Sequence, residues 1–89
     1  MNLLAIDAGN TRIKWGLHDG HQWLRRGHIA HNEIATLTSI ATEIDRVIIS
    51  NVAGAAITSA IKQAFKGRAI HIVLPLVVQK QAFGLIYAD

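Results

Sequence analysis

Residues 3–17 read LLAIDAGNTRIKWGL, two apolar segments joined by a Gly-Asn pair. The first segment, Leu3 to Asp7, is a short apolar run that ends in an acid, and the second, Thr11 to Leu17, alternates apolar and polar side chains. Alternation with a period of two is typical of a strand with one buried face, and Gly and Asn are common turn residues. The stretch therefore predicts a β-hairpin whose turn lies at Gly9 and Asn10.

A second turn signal follows this hairpin. Asp19-Gly20 favours a type I′ turn, so the chain is predicted to return there as a third antiparallel strand. In that register Trp15 faces Leu24 on the apolar side of the sheet, and Trp23 covers Gly16 on the other side. We therefore expect both tryptophans to be structural.

Helix and strand patterns alternate after the third strand, residues 22–29. Asn32 is a candidate N-cap for a helix, and a second helix is predicted over residues 53–65. Apolar runs predict buried strands over residues 46–50 and 69–74. The order β-β-β-α-β-α-β is typical of the α/β, ribonuclease H-like domain of actin-type ATPases. The apolar positions of the first helix are Ile34, Leu37, Ile40, Ala41 and Ile44.

Length and composition limit the class of protein. Eighty-nine residues, 51% of them hydrophobic and 17% charged, fit one packed domain. No apolar run approaches the ~20 residues that cross a bilayer, and the first residues lack the features of a secretory signal, so no membrane partner is expected. The absence of cysteine fits a cytoplasmic location.

The net charge of +3 predicts an anionic partner. The nine basic residues are scattered along the chain, and no aromatic-basic interleaving accompanies them, which argues against nucleic acid. A metabolite that carries phosphate would be sufficient.

The first hairpin turn has the residue types that bind a triphosphate. Gly9 lets the backbone approach a phosphate closely, and the N–H groups of Gly9, Asn10 and Thr11 are predicted to form an anion nest, in which Asn10 can adopt a positive φ. Thr11 adds a hydroxyl, and Lys14 adds a cation that offsets charge on the transferred group. Asp7 is suited to hold hydrated Mg²⁺. The alternative is an ordinary hairpin turn beside a strand-end acid.

Three segments resemble the type III pantothenate kinases. Residues 7–17, DAGNTRIKWGL, resemble the N-terminal phosphate motif of that family. Residues 49–53, ISNVA, are similar to its strand-to-loop segment beside the nucleotide cleft, although the family commonly has Pro where Ala53 stands. Residues 83–87, FGLIY, resemble its pantothenate-contacting stretch.

The resemblance implies an ATP-dependent kinase that phosphorylates pantothenate, the first step of coenzyme A biosynthesis. It implies that Tyr87 contacts pantothenate, while the alternative for this residue is a core or edge aromatic. It also implies Mg²⁺ on Asp7, a monovalent cation (K⁺ or NH₄⁺), and a homodimer in the complete enzyme. The implied ATP-contacting residues are Asp7, Ala8, Gly9, Asn10, Thr11, Arg12, Ile13 and Lys14.

The general base of the family lies in a Gly-x-Asp-Arg segment after the Tyr, and we expect it beyond Asp89. We therefore predict that the sequence is the N-terminal part of a longer kinase and is inactive alone. Residues 1–75 would be the nucleotide-binding domain, and residues 76–89 would begin a truncated substrate-binding segment.

Two other functions and two minor features stay open at this point. A related accessory transcription regulator would show salt-dependent DNA affinity, and a nuclease of the same fold would need a cluster of acids. Ser50 and Asn51 either line the nucleotide or cap the helix that follows. Two histidine pairs are expected to be exposed, because two ligands are too few for a metal site. The pairs are His18 with His21, and His28 with His31.

Overall fold

The computed structural model describes residues 2–73, apart from the side chains at positions 40–42. The predicted order of elements is confirmed over this range, with one change in helix type. The elements are β1 (Leu3–Ala8), β2 (Ile13–His18), β3 (Trp23–Ile29), a 3₁₀ helix (His31–Glu43), β4 (Arg46–Asn51), α1 (Ala55–Ala64) and β5 (Ala69–Val73). The expected strand end at Leu74, the boundary at Pro75, and the side chains of Ile40 and Ala41 lie outside what is described.

The strands form one mixed sheet in the order β3-β2-β1-β4-β5. β1, β2 and β3 pair antiparallel, and β4 pairs parallel with both β1 and β5. Each parallel connection includes a helix, as most crossovers between parallel strands do. This is the predicted ribonuclease H-like arrangement.

The two faces of the sheet differ. One face packs against the 3₁₀ helix and α1, and we call it the helix face; the opposite one is the distal face. Alternation in β1 sends Leu4 and Ile6 to the helix face and Ala5 and Asp7 to the distal face. The helix-face core comprises Leu4, Ile6, Ala8, Ile13, Leu17, Ile34, Leu37, Ile44, Val47, Ile49, Ile61 and Phe65.

The predicted type I′ turn at Asp19-Gly20 is wrong. That turn needs a positive φ at both central residues, and within residues 2–73 only glycines have one; Gly20 has φ 100°. Instead the loop is longer and is closed by the carboxylate of Asp19, which accepts the N–H groups of His21 and Gln22, each at 2.8 Å. Asp and Asn favour such turns because the side chain replaces a backbone acceptor.

The longer loop changes the register of β3. Two extra loop residues and a bulge after Leu17 place Trp15 opposite Gly27, so the expected pairing of Trp15 with Leu24 is wrong. The expected faces are confirmed, because Trp15 packs against the helix-face core and Trp23 against Ala5 on the distal face. The ring of Trp23 also covers Gly16, as predicted.

The first helix is a 3₁₀ helix that begins at His31, with a kink at Glu33, so the predicted α-helix with its N-cap at Asn32 is wrong. The apolar spacing of three between Ile34 and Leu37 suits three residues per turn. The hydroxyls of Thr36, Thr38 and Ser39 each donate to the carbonyl three residues earlier, at 2.6–2.9 Å. Such side-chain bonds compete with the α-helical pattern of the backbone.

None of the helices among residues 2–73 has the length and apolarity that a membrane span requires.

Candidate functional site

The turn between β1 and β2 is closed by its own backbone. The N–H of Gly9 donates to the carbonyl oxygen of Arg12 at 3.0 Å. A Cβ at position 9 would lie 3.3 Å from that oxygen, so this close approach favours glycine. The three residues that form the tip, Asn10, Thr11 and Arg12, are exposed.

This hydrogen bond removes one of the three N–H groups that were predicted to form the anion nest. The N–H of Gly9 is used inside the turn, so Asn10 and Thr11 are left as the backbone donors for an anion. Asn10 does not adopt the positive φ that it could tolerate, since no non-glycine residue among those described has one.

A row of polar side chains crosses the distal face directly beside the turn. Asp7 at the end of β1 pairs with Lys14 of β2 on one side and with Ser50 of β4 on the other, and His28 of β3 pairs with Lys14. Residues paired in register point to the same face. Asp7 and Ser50 are buried, 9% and 6% exposed. The row therefore places a carboxylate, an ammonium group and a hydroxyl at the carboxyl ends of β1 and β4.

The side chains of this row suit Mg²⁺ better than they suit a metal ion whose ligands all come from the protein. Within residues 2–73 no three His, Cys, Asp or Glu side chains come together as a metal cluster. Mg²⁺ is commonly held by one or two carboxylates with the rest of its shell from water and substrate phosphate. Asp7 alone can meet that requirement.

Ser50 and Asn51 were each expected either to contact nucleotide or to cap the helix that follows. The structure gives the two side chains different surroundings. Ser50 lies next to Asp7. The amide nitrogen of Asn51 donates to the carbonyl of Gly54 and to Oγ1 of Thr58, both at 2.7 Å, and its oxygen accepts the N–H of Ala53 at 2.7 Å. Asn51 therefore holds the β4–α1 loop.

Neither Ser50 nor Asn51 is the N-cap of α1. That position belongs to Gly54, which makes no side-chain cap bond and has φ 111°. The loop is also tied to β1, because the N–H of Val52 donates to the carbonyl of Ala8 at 3.0 Å.

The structure brings together only part of the predicted ATP-contacting set. The side chains of Ala8 and Ile13 are completely buried in the helix-face core, so only their backbone can face a ligand. Asp7 and Lys14 share the distal face, and the tip residues Asn10, Thr11 and Arg12 project at its edge. Tyr87 and Asp89 lie outside the described residues.

His31 is a site residue that the sequence interpretation missed. We expected an exposed histidine, but the ring is half-buried and its Nε2 lies 2.7 Å from the carbonyl oxygen of Gly9. The contact links positions 22 residues apart, and no local pattern in the sequence indicates it.

Solved structures of other proteins confirm the fold class. The ROK hexokinase of Thermus thermophilus is similar with a TM-score of 0.64 at 15% identity, over 93% of this chain and 37% of that one. RuvC of T. thermophilus is similar with a TM-score of 0.61 at 16% identity, over 94% of this chain and 69% of that one. These likenesses show the fold alone, which is the ribonuclease H-like fold.

Sequence comparison identifies the family. Residues 3–86 match the family Type III pantothenate kinase. Relatives of that name include the one from Dechloromonas aromatica, 42% identical over 68% of this chain and 27% of the relative, and the one from Aromatoleum aromaticum, 47% identical over 73% of this chain and 28% of the relative. The chain belongs to the type III pantothenate kinase family.

The chain spans only about a quarter of the length of these curated relatives. The alternative of a transcription regulator receives no support from them, since both carry the kinase name.

Proposed function

We propose that this chain forms the part of a pantothenate kinase that binds the phosphates of ATP. The observation that carries the proposal is the row of Lys14, Asp7 and Ser50 in register on the distal face, next to the exposed turn at Asn10 and Thr11. Family membership supports ATP as the phosphoryl donor and pantothenate as the acceptor.

Each group in the row has a role in this proposal. Asp7 would hold Mg²⁺, which neutralises charge on the phosphates when bound. Lys14 offsets charge on the transferred phosphoryl group, and the N–H groups of Asn10 and Thr11 donate to phosphate oxygens. Phosphoryl transfer depends mainly on such positioning and charge stabilisation, because the protein performs little covalent chemistry.

The part of the proposal that concerns pantothenate, the phosphoryl acceptor, rests on the family resemblance. Under the proposal Tyr87 contacts pantothenate, a K⁺ or NH₄⁺ ion assists, the complete enzyme is a cytoplasmic homodimer, and the general base belongs to a segment after Asp89. The 89-residue chain alone would then be inactive, because a base must lie within hydrogen-bond reach of the hydroxyl that it deprotonates.

A chimera tests the role of Asp7. Residues 3–86 of this chain replace the matching segment of the A. aromaticum relative, and pantothenate-dependent ADP release is measured with and without Asp7→Asn. We expect turnover to fall by about a hundredfold or more, the scale of losing a principal electrostatic contact to the transition state. Asp19→Asn, which changes an acid at the far end of β2, is the matched control and should retain turnover. Turnover close to that of the unaltered chimera at saturating Mg²⁺ would contradict the assignment of Asp7.

A further inference from the structure

The Gly9–Asn10 peptide is the first peptide of the turn, and one side chain outside the hairpin contacts it. The carbonyl oxygen of Gly9 lies 2.7 Å from Nε2 of His31, and the ring is half-buried. The other backbone polar group of Gly9, its N–H, donates to the carbonyl of Arg12. Both polar groups of Gly9 are therefore fixed.

The backbone that carries His31 is itself anchored. The N–H of Glu33 donates to the carbonyl of Ala30 at 3.0 Å, and the carboxylate of Glu33 accepts the N–H of Ala30 at 2.8 Å. This reciprocal pair resembles half of a capping box and fixes the first turn of the 3₁₀ helix. His31, between the two partners, reaches the hairpin turn from a fixed position.

The direction of the hydrogen bond follows from its acceptor. A carbonyl oxygen can only accept, so Nε2 of His31 carries the proton and donates. That holds for the neutral ring with its proton on Nε2 and also for the doubly protonated ring. The bond therefore needs one particular neutral tautomer but survives protonation of Nδ1.

The bond also sets the direction of the next amide. In a planar trans peptide the C=O and N–H groups point in opposite directions. Because the carbonyl of Gly9 points at His31, the N–H of Asn10 points away from the 3₁₀ helix, at the exposed tip of the turn. A rotated Gly9–Asn10 peptide would present an oxygen there, which repels an anion.

We propose that His31 is a positioning residue for phosphate binding, because its Nε2–H orients the Gly9–Asn10 peptide so that the Asn10 N–H faces the ligand. This inference rests on the proposed function of the turn. His31 belongs to a different element from the turn, since it lies at the start of the 3₁₀ helix. Its side chain need not touch the phosphate.

The test uses ¹⁵N-labelled full chain and inorganic tripolyphosphate with Mg²⁺ as the probe. Long-range ¹⁵N–¹H spectra should find His31 as the Nε2–H tautomer, and titration should move the Asn10 amide resonance. His31→Gln retains a donor near the position of Nε2, whereas His31→Asn places its amide too close to the backbone to reach Gly9. We expect His31→Asn to raise the dissociation constant about threefold to tenfold, the effect of one lost hydrogen bond, and His31→Gln to restore most of the affinity.

His21→Asn, at the exposed far loop, is the matched control and should leave the dissociation constant unchanged. An Nδ1–H tautomer for His31 in the unaltered chain would overturn the inference without any variant. Equal affinity of the unaltered chain and His31→Asn, with the turn resonances still responding to the probe, would overturn the inference and leave the proposed function standing. No response of the Asn10 and Thr11 resonances in the unaltered chain would overturn both.

Discussion

Gly16 lies buried in the middle of β2, beneath the ring of Trp23. A Cβ at this position would lie 2.5 Å from Cζ3 of that ring, well inside the contact distance of two carbon atoms. Trp23 also packs against Ala5 and lies edge-on to His18, with ring centroids 4.9 Å apart. The ring therefore cannot move without losing contacts on the distal face.

Gly16→Ala should consequently lower the free energy of unfolding by about 1–3 kcal/mol, the usual cost of overpacking. The measurement is urea unfolding of the 89-residue chain. In a Trp23→Ala background the same change should cost less than about 0.5 kcal/mol, since nothing then occupies the space. Equal costs in the two backgrounds would show that Trp23 does not cover Gly16.

Asp19 gives a pH-dependent contribution to stability. The N–H groups of Gln22 and His21 donate to its carboxylate, and these bonds, that of Gln22 first, lower the pKa of Asp19 below its ordinary value. Because the lower pKa belongs to the folded state, the contribution is present above the unfolded pKa and is lost as pH falls through the folded one.

The difference in unfolding free energy between the unaltered chain and Asp19→Asn should therefore be present at pH 6 and shrink below about pH 4. Urea unfolding at pH 6, 4 and 3 measures it. A difference that stays constant over this range would exclude the charge of Asp19 as its source.

At the scale of elements, strands were more predictable than the connections between them. The period-two alternation of Ile13, Trp15 and Leu17 fixes which face each side chain of β2 takes, and Trp15 was assigned to the correct face for that reason. The register of β3 was not predictable, because it depends on a loop closed by the side chain of Asp19 and on a bulge after Leu17. Neither leaves a periodic signal.

The first helix shows a similar limit. Ile34 and Leu37 predict a buried helical stripe, and both side chains are buried, but a spacing of three is compatible with an α-helix and with a 3₁₀ helix. The choice between them depends on local hydroxyl bonds such as that from Thr36 to Glu33. The average helix propensities of the residues do not indicate such bonds.

The residues of the candidate site also differ in whether the sequence predicts that they lie close together. Asp7 and Lys14 could be placed together from the sequence, because they flank one turn at matching positions of a hairpin. Ser50 joins them only through the parallel pairing of β1 with β4, which brings together residues 43 positions apart in the printed sequence. His31 reaches the turn through tertiary packing alone.

At the scale of the whole molecule, the described part of the chain is an asymmetric sheet. The 3₁₀ helix and α1 cover the helix face, while the polar row of Lys14, Asp7 and Ser50 lies on the distal face at the carboxyl ends of two strands. Ligands of open α/β sheets commonly bind beyond the carboxyl ends of the strands. The proposal places the triphosphate at this edge and assigns the acceptor and the base to other parts of the kinase.

The most direct test of this placement is paramagnetic broadening by Mn²⁺-ATP in the ¹⁵N-labelled full chain. Mn²⁺ takes the same oxygen ligands as Mg²⁺, and its broadening falls with the sixth power of distance. We predict that the resonances of Asn10, Thr11, Lys14 and Ser50 are lost first, and that Asp7→Asn prevents this. Gly20, at the far end of β2 and roughly 20 Å away at ~3.3 Å per residue, should be spared. Broadening centred on α1, on the Trp23 end of β3 or on the Gly20 loop would contradict the account.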